Sequence, residues 1–225
     1  CMAFCPTLAC TAPGLERADC RPVNRQQMPT PRQVEELVFS RRSVRNFTDA
    51  VVPRQELENL LEAARFAPTA KNAQNLRWIV LESREKVVQL AELVAAWMRG
   101  LPHSDPELDA AMHAGGLLRA WDRGVDVLTR TAPQLAVVVA PQWRWGQADA
   151  VIAATYFELL AHARGIGCCW GGFVCMAFAH PAAQNVRDFL GIAEGETAYA
   201  AQMLGYPRFT VRVRPPRHKA RVTWK

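Results

Sequence analysis

Three arginines crowd one serine in the stretch SRRSVRNF: Arg41, Arg42 and Arg45 around Ser43. Guanidinium groups hold phosphate through paired hydrogen bonds, and a hydroxyl between them adds a donor. Each such charged bond contributes roughly 1.5–3 kcal/mol. The stretch also closes a helical pattern, where arginine is favoured by about 0.3–1 kcal/mol through the helix dipole. Three arginines within five residues exceed what a cap requires, so the composition favours a phosphate site over a solvated basic face.

Two further stretches carry chemistry of a less specific kind. FAPTAKNAQNLRW passes Pro68, Thr69, Ala70 and Asn72 before a strand. Its amides offer paired donors and acceptors suited to the edge of a heterocycle, but a polar loop joining helix and strand accounts for the same residues. GIGCCWGGFVC, Gly165 to Cys175, fails as a dinucleotide fingerprint: Gly165 and Gly167 follow a long helix, and Gly171 falls one position late. No Gly-Lys-Ser/Thr makes it a phosphate loop. Cys168 and Cys169 are adjacent, would point to opposite sides of an extended chain, and belong to no C-x2-C pair, so with the lone His180 they do not suit zinc. They read as buried thiols acting as small hydrophobes. Gly171 and Gly172 behind Trp170 would let backbone approach something flat, or turn a tight corner between elements; residue types leave both open. No Ser-His-Asp or Cys-His set stands out.

The elements that must position these residues follow from periodicity. PRQVEELVFSRRS, with Val34, Leu37 and Val38, is an amphipathic helix. PRQELENLLEAARFA repeats the pattern, with Pro53 suiting the first turn and Leu57, Leu60, Leu61 and Ala64 on one face. A strand is expected around Trp78–Leu81, a helix over REKVVQLAELVAAWM, and a buried strand at QLAVVVA. Residues 100–120 read as one short helix between loops, a candidate lid. Trp97 and Trp121 at its ends would line a pocket or simply pack. GQADAVIAATYFELLAHARGIG is a long, central helix and HPAAQNVRDFLGI a shorter one; TAYAAQMLGYP and the tail HKARVTW read as strands.

The 225-residue chain is ordinary globular material, half hydrophobic, with a net charge of +6. A basic chain suits phosphorylated ligands as well as nucleic acid, and no nucleic-acid module is visible. No apolar run approaches a membrane span. Seven cysteines, an odd number, four of them in the first twenty residues, do not make a secreted disulfide framework, so a reducing cytoplasm is expected. The chain opens on Cys1, which suggests a piece of a longer or processed polypeptide. Residues 1–31, rich in cysteine and proline, read as an N-terminal extension and 32–225 as the main domain.

In order, Arg41-Arg42-Ser43-x-Arg45 with Phe47, Ala67-Pro68-Thr69-Ala70-x-Asn72-x-Gln74, Ala132-Pro133, Gly165-Ile166-Gly167-x-Cys169-Trp170-x-Gly172, Leu204-Gly205-Tyr206-Pro207 and Pro215-Pro216-Arg217 resemble the FMN-dependent nitroreductase family. The resemblance implies an α+β fold, a central, mostly antiparallel sheet flanked by helices, in an intertwined homodimer with FMN at the interface. By position, Arg41, Arg42 and Ser43 would grip the FMN phosphate and ribityl chain, with Arg217 closing from the tail. Arg45 would reach the isoalloxazine edge and stabilise charge at N1 and O2. Pro68, Thr69, Ala70 and Asn72 would come from the other subunit, and Cys169, Trp170, Gly171 and Gly172 would form a backbone platform against the ring. The implied activity is ping-pong: NADH or NADPH gives electrons to FMN, and a small-molecule electron acceptor such as a nitroaromatic or quinone takes them. A flavin store or redox sensor without turnover, and a phosphate-binding protein without flavin, use the same residues. Gln74-Asn75 and Gly171 depart from the family pattern, which bears on pocket shape.

Cys1-x3-Cys5-Pro6 matches the tail of a ferredoxin run, C-x2-C-x2-C-x3-C-P, but Cys10 and Cys20 do not rebuild the spacing. Some nitroreductase relatives are similar in carrying a ferredoxin-like segment. A 4Fe-4S cluster in a longer protein, with Cys1 and Cys5 as ligands and ferredoxin as donor, stands beside a plain irregular arm.

Overall fold

The computed structural model describes Thr7, Ala9, Cys10 and residues 14–225. The chain divides into two compact units, residues 1–36 and 37–225. In the first, Thr30 caps the start of helix α1 (Pro31–Ser40): the Gln33 amide carbonyl accepts from Thr30 N at 2.8 Å while Gln33 N donates to Thr30 Oγ1. This reciprocal pair satisfies donors that a helix start leaves open.

The second unit is built on a four-stranded sheet of β1 (Arg77–Leu81), β2 (Gln134–Pro141), β3 (Gly167–Trp170) and β4 (Glu196–Gly205). The order is β1-β2-β4-β3 and every pairing is antiparallel. The run of apolar residues in β2 is buried on both faces, which explains why it shows no alternation in sequence. Leu135, Val137 and Val139 join the core formed with α3 (Arg84–Ser104), α7 (Gly172–Ala179) and α8 (Gln184–Leu190). Ala136 and Val138 face the other way, toward α2 (Arg54–Ala64) and α6 (Gly146–Ala163). The same two-residue period sends Cys168 to one face and Cys169 to the other. Small residues on α6, Ala150, Ala153, Ala154 and Ala161, let that long helix lie close on the sheet.

Two expectations need correction, and one helix was not foreseen. Residues 100–120 are not one short helix between loops. Helix α3 continues through Gly100 and Pro102 to Ser104, because Trp97, Met98 and Leu101 are buried on its core face. Asp105 then caps α4 (Pro106–Met112), accepting from Leu108 N at 3.0 Å. His113, with φ +53°, separates α4 from α5 (Ala114–Trp121). The tail HKARVTW is exposed and irregular rather than a strand. Gly172 to Ala179, which carries no amphipathic period, is a helix; a mostly buried helix needs none.

Candidate functional site

The arginine segment leaves α1 and runs beside edge strand β3. Val44 N donates to Cys168 O at 2.9 Å, and Thr48 N donates to Tyr206 O at 2.9 Å, so Arg45 is held between two backbone anchors. A Cβ on Gly167 would fall 2.6 Å from Val44 Cγ2, which makes glycine the residue that permits this close approach. Arg41 pairs with Glu158 of α6 at 2.6 Å. Arg42 donates from Nη2 to Phe39 O at 2.8 Å and from Nη1 to Arg41 O, while its Nε is buried without a partner among the described residues. Arg45 is exposed and makes no hydrogen bond or ion pair among the described residues. Ser40 Oγ meets His162 Nε2 at 2.8 Å. Burial, then the positive charge of Arg41, holds the His162 imidazole below its usual range despite nearby Glu158.

Beyond β3 the chain turns at Gly171 into α7. Gly171 N donates to Ala201 O at 2.9 Å, and a Cβ there would meet Ala201 Cβ at 3.3 Å. Gly172 differs: its Cβ would meet nothing nearer than Trp170 Cδ1 at 4.0 Å. Nothing among the described residues therefore demands glycine at 172. Because α7 begins at Gly172, its first amide groups lack partners inside the helix and carry the positive end of the helix dipole. Arg45, Cys169, Trp170, Gly172 and Phe173 line one cavity of about 230 Å³. Burial raises the Cys168, Cys169 and Cys175 thiols, the last to about 12, so none is a ready thiolate nucleophile.

The loop Pro68–Asn72 lies elsewhere. It precedes β1, the edge strand on the other side of the sheet from β3; those two strands are three strand spacings, or about 14 Å, apart. Ala70 N donates to Asp149 Oδ1 at 2.8 Å and Gln74 N to Thr69 Oγ1 at 3.0 Å. Lys71, Asn72 and Gln74 all have positive φ, 55°, 54° and 49°. Each such residue costs on the order of 1–3 kcal/mol, strain that tends to gather at ligand clamps. Thr69 and Gln74 line a separate cavity of about 260 Å³ with Leu76 and Trp78. Asn75 Oδ1 and Asp149 Oδ2 are buried without partners among the described residues. Arg217 is exposed in the irregular tail and makes no hydrogen bond or ion pair among the described residues. One chain thus brings the arginine segment and the platform together, while the Thr69 loop is tied to α6 through Ala70 and Asp149 and the tail lays Arg214 over Phe39.

The family model described as "Nitroreductase family" matches residues 38–206. The chain belongs to the nitroreductase family. It is similar to a protein of Thermus thermophilus called NADH dehydrogenase, 28% identical over 181 residues that cover 75% of this chain and 84% of that protein. Over 89 residues, 38% of this chain and 39% of the relative, it is 34% identical to the nitrobenzene nitroreductase of Ectopseudomonas oleovorans. Its fold is that of an FMN-bound nitroreductase structure from Bacteroides fragilis, with a TM-score of 0.65, 24% identity, and coverage of 84% of this chain and 95% of that one.

In this family member one lining residue had no motif of its own in the sequence. Arg130 shares the cavity with Arg45 and has φ +55°. The signal for its loop is Asp126, placed to accept from the backbone two and three residues on. Among the described residues no group of three or more His, Cys, Asp or Glu side chains could hold a metal ion; Cys1 and Cys5, the cysteines of the ferredoxin-like match, lie outside those residues.

Proposed function

We propose that the chain is an FMN-dependent oxidoreductase taking electrons from NADH or NADPH and delivering them to a small electrophile such as a nitroaromatic or quinone. The observation that carries this reading is the convergence of an unpaired Arg45, an open Gly172 and the amide end of α7 on one cavity. These residues fit a flavin. The missing Cβ at Gly172 leaves room for a flat ring against the backbone, and the buried, unpartnered Arg42 Nε is a donor in want of an acceptor. When bound, FMN supplies the electron transfer between nicotinamide and acceptor. The chain's part is to bind, orient and polarise. Arg42 and Ser43 would hold the phosphate and ribityl chain, with the donors of Arg41 not used on Glu158. Arg45 and the first amides of α7 would set positive charge where negative charge collects on the ring.

The same geometry supports a homodimer. The loop Pro68, Thr69, Ala70 and Asn72 leads into the edge strand on the other side of the sheet from the platform strand, which supports its being supplied by a second copy. Helix α6 leaves Val151, Ile152 and Tyr156 exposed on one face, an apolar stripe suited to a second copy. Among the described residues no helix is long and apolar enough to cross a membrane. The described free cysteines, including buried Cys168 and Cys169, fit the reducing cytoplasm. An absorbance spectrum before and after anaerobic NADH or NADPH tests the proposal. Flavin bands that bleach support it and name the donor; a protein that stays colourless after FMN reconstitution overturns it.

A further inference from the structure

The Arg45 cavity contains a second cation. Arg130 lines it from the loop before β2, and its side chain, like that of Arg45, is exposed without a hydrogen bond or ion pair among the described residues. No carboxylate lines this cavity. Its other walls are apolar or aromatic, among them Leu128, Trp170, Phe173 and Met176. The loop that carries Arg130 is held rigidly. Arg130 and Thr131 both have φ +55°, an unfavourable setting for a β-branched threonine. Asp126 secures it by accepting from Leu128 N at 3.0 Å, Thr129 N at 2.7 Å and Thr131 N at 3.0 Å. Arg84 braces the carboxylate at 2.8 Å and reaches Ala132 O at 3.2 Å. A guanidinium presented on a braced, strained loop is pre-organised for a ligand.

Charge balance then identifies the ligand. This step rests on the flavin reading above, in which Arg45 offsets the single negative charge of the ring. One cation remains in the cavity, a guanidinium able to pair with an anionic group through charge-assisted hydrogen bonds. We infer that Arg130 receives the acid group of the electron acceptor, and that the site selects aromatic acceptors bearing a carboxylate or similar anion over neutral ones. Arg130 is thus a specificity residue: its guanidinium meets the carboxylate while the ring lies against the aromatic wall.

The test uses FMN-reconstituted protein with 4-nitrobenzoate and the neutral nitrobenzene as acceptors. The wild type is expected to favour the carboxylate, and Arg130→Gln to lower the ratio of kcat/KM for 4-nitrobenzoate over nitrobenzene about tenfold. Arg130→Gly, which suits the positive φ, keeps the loop and should give the same loss. Arg130→Lys should recover part of it. Benzoate, which accepts no electrons, gives a readout apart from turnover: its Kd, followed by tryptophan fluorescence through Trp170, should weaken by a similar factor in Arg130→Gln. A ratio unchanged by all three substitutions overturns the inference. So does a change confined to the KM of NADPH, which would assign Arg130 to the donor's phosphate. If the protein fails to take up FMN, the flavin reading falls, while the benzoate titration still decides whether Arg130 holds a carboxylate.

Discussion

Gly172→Ala separates folding from binding at the platform. The new methyl would find nothing nearer than 4.0 Å, on Trp170, and Gly172 is the first residue of α7. Replacing glycine by alanine in a helix gains up to about 1 kcal/mol, less at the first position, so the FMN-free protein should melt at the same temperature or slightly higher. A flavin ring seated on that backbone would meet the methyl directly. Overpacking of this kind costs about 1–3 kcal/mol, a loss of roughly 5- to 150-fold in affinity. Gly167→Ala is the control of opposite sign. Its methyl would lie 2.6 Å and 2.9 Å from the two Cγ atoms of Val44 and 2.7 Å from its Cβ, which cannot be relieved by turning a flexible side chain. That substitution should therefore destabilise the fold itself by about 1–3 kcal/mol. The assays are thermal unfolding of the FMN-free proteins and FMN titration followed by quenching of flavin fluorescence. If Gly172→Ala binds FMN as tightly as the wild type, the backbone at 172 is not the platform and the argument from its missing Cβ is refuted.

Arg45→Ala should retain the fold but slow reduction by the nicotinamide about tenfold or more, from the loss of one charge-assisted contact; normal turnover in stopped-flow reduction would remove Arg45 from the ring edge. Ile152→Glu or Tyr156→Arg on α6 should yield monomers by light scattering and, with them, weaker FMN binding, since the strained loop would no longer reach the platform. Acidification should weaken the fold through two groups. His162 is held below its ordinary range, so as pH falls below about 6.5 the unfolded chain takes a proton that the native state resists, and stability declines. Asp126 is held low despite burial, because hydrogen bonds from Thr129, Arg84 and Thr131 outweigh it; its contribution is present above the usual carboxylate pKa and is lost as pH falls through the depressed value. His162→Gln should flatten the first part of the melting-temperature profile between pH 7 and 5, and a profile unchanged by that substitution would exclude His162 as the source.

The elements with clear periodicity were legible from the chain alone. Leu57, Leu60 and Ala64 fall on the buried face of α2 as their spacing requires, and the β2 run is buried on both sides. The opposed directions of Cys168 and Cys169 follow from any extended backbone. Less legible were the segments where burial overrides local preference. Pro102 and Gly100 argue for a break, yet three large side chains on the core face carry α3 past them. Helix α7 hides because a helix buried on most sides has no polar face to give it a period.

The residue types of the site belong to the sequence: three arginines about Ser43, glycines behind Trp170, a short-side-chain loop after Pro68. Their order along the chain is enough to suggest the family. What each does was decided by the tertiary structure. Arg41 is partly spent on Glu158, 117 residues away in sequence yet 2.6 Å in space, while the Arg45 guanidinium has no partner among the described residues. Gly167 and Gly171 are occupied by packing, and only Gly172 opens on the cavity. The strand order β1-β2-β4-β3 puts β1, which follows the Thr69 loop, and β3, which carries the platform, at opposite edges of the sheet. Arg130 joins Arg45 through a loop folded on Asp126. Local spacing determines which face a side chain takes; which distant side chains then neutralise it, crowd it or leave it open depends on long-range packing that no short window of sequence contains.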